Sequence, residues 1–279
     1  MPLEDDFSDI IKKARAGLGL SIREVARASG LTETDLVGFE RGHPPRDREQ
    51  VRAVAHGLAL KAEALEHIAI DHWEPAAQRA LSWVETVHGS VGGYGVQGYI
   101  VQDQGEAVVI DTGYNARGMI EAITARSLRL VAVCLTHGHA DHADGLDALL
   151  AHREAPVYLG SDDRPLLGWK PPARLLHSPG DGAAIPVGRR VVQCITSPGH
   201  TPGGLCYHVG DAEQSLCFVG DTLFAGSIGR SNPSTLYPIH LDSVRRRLLS
   251  LPGDCRLLPG HGPGTTVAEE RQHNPFGTA

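Results

Sequence analysis

Apolar positions change rhythm part-way along the chain. From Ser8 to Leu18 they fall on one stripe, Ile11, Ala14 and Leu18, which predicts an amphipathic helix. Ser21, with Glu24 three residues on, reads as a capping box opening a second helix that ends at Gly30. Thr32 opens a third with Leu36 and Phe39 inward, and Gly42 with Pro44-Pro45 stops it. Two more helices are predicted over about Asp47 to Gly57 and Lys61 to Ile70. The stretch Asp71 to Gln78, with Pro75, reads as a linker. It divides the chain into a small all-α domain, residues 1–75, and a second domain, residues 76–279.

Beyond the linker, strands and helices alternate. Tyr94 to Gln102 and Ala107 to Ile110 read as a hairpin leading into Asp111-Thr112-Gly113, and Arg117 to Arg126 as a helix. The unbroken apolar run Leu130 to Leu135 reads as a buried strand, Asp144 to Arg153 as a helix, and Pro156 to Gly160 as a short strand. Residues 160–189, rich in Pro, Gly, Asp and Arg, read as a long loop of the kind that borders a site. One device recurs: an apolar strand, a turn of small residues, then a side chain able to bind metal. Leu130 to Leu135 delivers Thr136-His137-Gly138-His139-Ala140-Asp141-His142. Val191 to Ile195 leads through Ser197-Pro198-Gly199 to His200. Leu216 to Val219 leads through Gly220 to Asp221, and Cys255 to Leu258 through Pro259-Gly260 to His261. Glycine at these turns lets the backbone bend sharply and approach closely.

Imidazoles and carboxylates are ligands for zinc, iron or manganese. In an extended loop His137 and His139 project to one side, while Asp141 and His142 enter the start of a helix, whose positive end favours a carboxylate. Four ligands in one loop suit two adjacent ions better than one. The remaining histidines, such as His88, His152, His177, His208 and His240, read as surface or satisfied core residues.

Composition narrows the alternatives. A hydrophobic content of 41% supports a globular core, and a formal charge of −7 gives no electrostatic case for nucleic acid or an anionic membrane. No segment approaches the eighteen apolar residues of a membrane span, and the acidic start MPLEDDFSDI is no signal peptide. Five cysteines, an odd number lying mostly in apolar runs, read as buried reduced thiols of a cytoplasmic protein.

Two resemblances follow. Leu20-Ser21-Ile22-Arg23-Glu24-Val25-Ala26, Gly30-Leu31-Thr32 and Phe39-Glu40-Arg41-Gly42 together resemble the phage-repressor type of helix-turn-helix domain. In that family the third helix enters the major groove. Here it would present Glu33, Asp35 and Glu40, and residues 1–70 carry ten Lys and Arg against twelve Asp and Glu. Carboxylates repel phosphates, so docking or homodimerisation is expected of this domain before DNA binding.

The ordered set His137, His139, Asp141, His142, His200, Asp221 and His261 resembles the motif of the metallo-β-lactamase superfamily, over residues 77–279. The resemblance implies an α/β fold, an αββα sandwich, with His137, His139 and His200 on one metal and Asp141, His142 and His261 on a second. Asp221 would bridge the two. Gly220-Asp221-Thr222-Leu223-Phe224-Ala225-Gly226-Ser227-Ile228-Gly229-Arg230 and Pro259-Gly260-His261-Gly262 look like the glyoxalase II group. Departures from that group are Ser231-Asn232-Pro233 after Arg230 and an end three residues past Phe276, which argue against glutathione as the carrier thiol.

The implied activity is hydrolysis of a small-molecule thioester by attack of a metal-bound hydroxide. A thiol of pKa ~8.5 departs as thiolate without a strong acid. The expected cofactors are two divalent ions, zinc first, then iron or manganese. Asp141 and Asp221 are the catalytic candidates and Arg230 a contact for an acidic substrate. Rival readings are a persulfide dioxygenase with one iron on His137, His200 and Asp221, a lactonase, and a metabolite-sensing DNA-binding regulator.

Overall fold

The computed structural model describes residues 1–210 and 214–277. Five short helices come first: α1 (Phe7–Gly17), α2 (Ile22–Ser29), α3 (Glu33–Glu40), α4 (Arg48–Gly57) and α5 (Ala62–Ala69). Their starts follow from side-chain caps. The Asp6 carboxylate accepts from the Ser8 and Asp9 amides, Asp47 accepts from the Gln50 amide, and Ser21/Glu24 and Thr32/Asp35 form reciprocal capping boxes. Part of the acidity of the helical region is therefore spent on closing helix ends.

Two six-stranded sheets follow among the described residues. The first holds β1 (Val84–Val91), β2 (Tyr94–Asp103), β3 (Glu106–Ile110), β4 (Arg129–Cys134), β5 (Val157–Tyr158) and β6 (Leu176–His177), in that spatial order. The second holds β7 (Ala184–Val187), β8 (Arg190–Thr196), β9 (Leu205–Gly210), β10 (Ser215–Gly220), β11 (Arg256–Pro259) and β12 (Thr265–Thr266). Around them lie α6 (Ala116–Ala125), the single turn α7 (Ala140–Ala143), α8 (Leu146–His152), α9 (Tyr237–Asp242) and α10 (Val267–His273). No described helix is long and apolar enough to cross a membrane.

Three buried layers hold the sandwich. Tyr99, Val101, Ile110 and Cys134 of the first sheet face Val192, Tyr207 and Phe218 of the second. Ile100 and Val109, on the other face of the first sheet, pack with Met119, Ile123 and Leu149 of the flanking helices. The outer face of the second sheet, Cys217, Val219 and Leu257, shares one continuous core with Ile10, Ile11, Val54 and Leu65 of the first helices. Contact there is close: a Cβ on Gly17 of α1 would collide with the Tyr237 ring of α9. All five cysteines are free and buried.

Three segments differ from the reading of the sequence. Residues 160–189 are not one long loop, for they hold a 3-10 helix, Ser161–Leu166, and strands β6 and β7. Strand β1 pairs along its whole length with β2, yet only Val87 is buried, so an edge strand left no apolar alternation to read. The helix expected over Asp144 to Arg153 is split from the ligand loop by Gly145, whose φ of 89° only glycine adopts readily.

Helix α10 carries a fully buried Glu270 beneath the 224–227 turn. Its carboxylate accepts from the Gly226 amide (3.1 Å), the Thr265 hydroxyl (2.8 Å) and the Asn274 amide (2.7 Å). Burial outweighs these bonds and pushes the group up to about 7. A raised carboxyl pKa stabilises the fold fully below the unfolded value, near 4.5, and that stability is lost as pH rises through about 7. The unfolding free energy of the wild type minus that of Glu270→Gln, measured by denaturant titration, should therefore fall between pH 4.5 and 7. The change should be on the order of 2–3 kcal/mol. A pH-independent difference would contradict this.

Candidate metal centre

Four strand ends meet at one edge of the sandwich, and hydrogen bonds between and within the sheets fix them there. The Leu205 amide donates to the Thr136 carbonyl (2.8 Å), the Gln97 amide to the Gly260 carbonyl (2.8 Å), and the Gly260 amide to the Gly220 carbonyl (3.1 Å). Glycines make the approach possible. A Cβ on Gly260 would collide with the His142 ring and one on Gly220 with Thr136, while Gly220 also sits at a φ of 48°.

The seven predicted ligands converge. His137, His139 and His200 place one nitrogen each within 4.8 Å of one another, and so do the donor atoms of His142, Asp221 and His261. A third overlapping group joins His137, Asp141 and His142. His139 presents Nδ1, 3.0 Å from His200 Nε2. His142 Nε2 lies 3.3 Å from Asp221 Oδ1, and His261 Nε2 lies 3.2 Å from Asp141 and 3.7 Å from Asp221. Asp221 also lies 3.7 Å from His200 Nε2, so its carboxylate stands between the two groups.

A second layer orients the rings. Asp111 Oδ2 accepts from His142 Nδ1 (2.8 Å) and from the Thr136 hydroxyl (2.7 Å), and Oδ1 accepts from the Thr136 amide (2.7 Å). The Gly95 carbonyl holds His261 Nδ1 (2.6 Å), and the Arg230 carbonyl holds His200 Nδ1 (2.8 Å). Each contact leaves the opposite nitrogen free to ligate, as outer partners of metal-bound histidines do. Asp163 locks two ligand loops together: it accepts from the Gly138 amide, the Thr201 hydroxyl (2.6 Å) and the Gly203 amide (2.7 Å).

Sequence reasoning missed Asp111 and Asp163. Asp111 carries the same signature as the ligands, an apolar strand followed by a small-residue turn, and its φ of 54° is a conformation Asp tolerates better than most residues. Asp163 stands within the 3-10 helix of the supposed loop and gives no such signal. The structure does not bring the Arg230 side chain into the cluster; that side chain is exposed, and only its carbonyl touches a ligand. His240, read as a bland histidine, is buried and satisfied between Thr222 and Ser231.

The donor set fits cations. His137 Nε2, His142 Nε2 and Asp221 Oδ1 are buried and lack hydrogen-bond partners, an arrangement that costs free energy unless something binds them. Burial holds His137 well below its ordinary pKa and His200 down at about 4, so both are neutral, the ligating form. Burial also opposes charge on His142 and His261, yet Asp221 and Asp111 hold the first well above its ordinary value, and Asp141 and Asp221 lift the second to about 9. The carboxylates thus draw positive charge into the pocket, and divalent ions supply it by displacing protons.

Comparison with known proteins agrees with this geometry. Residues 91–261 match the family model for the Metallo-beta-lactamase superfamily. The chain belongs to that superfamily. It is 32% identical over 207 residues to a probable metallo-hydrolase, YqgX, of Bacillus subtilis, covering 67% of this chain and 94% of the relative. It is 31% identical over 197 residues to hydroxyacylglutathione hydrolase GloC of Haemophilus influenzae, covering 63% and 90%. Among solved structures it resembles BLEG-1, a B3 metallo-beta-lactamase, with 29% identity and a TM-score of 0.61 over 70% of this chain and 100% of that one. It also resembles TTHA1623 in a di-iron-bound form, with 32% identity and a TM-score of 0.59 over 68% and 99%. The protein is a metal-binding metallo-hydrolase of this superfamily.

The second layer yields a prediction. Asp111→Ala frees the His142 ring and unties Thr136. Metal affinity should fall about 10–100-fold in chelator competition, the usual cost of losing such a partner. Unchanged affinity would show that Asp111 serves the fold alone.

Proposed function

We propose that the protein hydrolyses thioesters at a two-metal centre, with zinc as the resident ion and iron or manganese also suited to the donor set. The observation that carries the reading is the convergence of all seven donors in three overlapping groups, with Asp221 within 3.7 Å of His142, His200 and His261. Bound divalent ions supply a water of lowered pKa and polarise the substrate carbonyl. The protein's own part is orientation: Asp111 fixes His142, the Gly95 and Arg230 carbonyls fix His261 and His200, and Asp163 holds two loops in register.

The leaving group follows from the same contacts. Among the described residues, the groups that hold the ligand rings are carbonyls, Asp111 and the Thr136 hydroxyl, none of them a strong acid. A thiolate departs without such an acid, whereas an amine needs a proton. The likeness to a hydroxyacylglutathione hydrolase supports the same substrate class. Arg230, exposed beside the His200 loop, is proposed to meet an acidic part of the substrate. The helical region keeps its helix-turn-helix-like reading as a docking module, since Glu33 and Thr34 lie exposed on α3 and Glu33 pairs with Arg23. A cytoplasmic location is proposed from the reduced, buried cysteines.

Metal-loaded protein should be assayed against a hydroxyacyl-glutathione thioester, a thioester of a small neutral thiol, a lactone, a β-lactam, and a persulfide with oxygen uptake as readout. The thioesters should exceed the lactone and β-lactam in kcat/KM by roughly 100-fold, and His200→Ala should remove at least as much. A β-lactam or lactone turned over faster, or oxygen consumed with the persulfide, would overturn the reading.

A further inference from the structure

The family match begins at residue 91, yet the first helix reaches the ligand loops. Lys13 of α1 donates to the Ile228 carbonyl (2.8 Å) and pairs with Asp5. Asp5 in turn accepts from the Ser227 hydroxyl (2.6 Å), across 222 residues of sequence. The Lys13 ammonium also lies 4.9 Å from the centre of the Phe224 ring, a cation–π contact. That ring stands edge-on to the His261 imidazole, with centroids 5.9 Å apart.

The turn held in this way is the one that carries the centre. Phe224 and Ser227 exchange two backbone hydrogen bonds of 3.0 Å, closing a tight loop directly after Asp221. The Gly229 amide donates to the Asp221 carbonyl (3.1 Å), and the next residue, Arg230, gives its carbonyl to His200. No side chain fits at Gly229, where a Cβ would collide with the Asp221 carbonyl and lie 2.9 Å from His200 Nδ1. A shift of the 224–230 segment therefore displaces Asp221, His200 and His261 together.

We propose that Lys13 and Asp5 are positioning residues of the metal centre, so that the N-terminal helical region is a working part of the site. The pair is mostly buried, with side-chain exposures of 16% and 7%. Removing Lys13 strands the Asp5 charge and takes from the Ile228 carbonyl its short donor, leaving only the Ser227 hydroxyl at 3.5 Å, so the segment must rearrange. The inference rests on metal binding and not on which bond is cleaved.

The test uses the full chain and metal as probe. Lys13→Met, Lys13→Arg and Ser227→Ala are loaded with cobalt(II), their absorption spectra recorded, and the metal retained after dialysis against a chelator counted. Lys13→Met should bind the more weakly held ion about tenfold less tightly and shift the ligand-field bands, as loss of an outer partner does. Lys13→Arg, which keeps the cation, should restore most of both. Ser227→Ala, which removes only the hydroxyl facing Asp5, should move them in the same direction by less. Wild-type retention and spectrum in a folded Lys13→Met would overturn the proposal. If Lys13→Met does not fold by circular dichroism, an unchanged spectrum and retention in Ser227→Ala overturn it instead. A protein that binds cobalt as expected but cleaves no thioester would refute the substrate assignment alone.

Discussion

One buried carboxylate oxygen and two buried imidazole nitrogens without hydrogen bonds are the constraint on which the rest of this structure turns. Asp221 Oδ1, His137 Nε2 and His142 Nε2 are buried without a hydrogen bond, and only the 3.3 Å approach of His142 Nε2 to Asp221 Oδ1 offsets their charge and polarity. In a protein interior each such atom is destabilising, and two carboxylates there repel one another. Divalent cations resolve both problems by giving these donors a common partner. Stability and chemistry are therefore linked: the groups that weaken the metal-free chain are those that give it function.

The scaffold meets that constraint by ending strands at one edge. β4, β8, β10 and β11 each stop in a turn of small residues, and glycine is required where the loops cross, as at Gly220 and Gly260. Asp111 sits at the centre of the supporting layer, bonded to the backbone and side chain of Thr136 and to His142. Asp163 does the same between the loops that carry His139 and His200. The helical region is continuous with this frame through the shared core on the outer face of the second sheet.

How much of this was legible depends on the range of the interaction. Ligands at strand ends could be read because apolar runs and glycine turns are local signals, whereas the sandwich came only as what the family resemblance of that ligand set implied. Capping boxes at Ser21 and Thr32 fixed helix starts for the same reason. The box at Thr266 and Glu269 was equally readable and marks α10, which sequence reading passed over. Strand β9, between the His200 and Asp221 loops, also went unread. Edge strand β1 and the two-residue piece β6 bury too few residues to show a period, and the alternation of β7 spans only four residues. Contacts such as Ser227 with Asp5 link positions 222 apart, and one sequence holds no local trace of them. The acidity of the first seventy residues was read as weighing against phosphate binding. Part of it has a plainer cause, since Glu24 and Asp35 close helix ends and Glu66 pairs with Arg52 at 2.5 Å.

The most direct measurement is anomalous diffraction from crystals of protein purified without added metal, with elemental analysis of the same sample. The account predicts two peaks per chain, one among His137, His139 and His200 and the other among His142, Asp221 and His261, with Asp141 beside the second. A single peak, or metal bound away from these side chains, would contradict it.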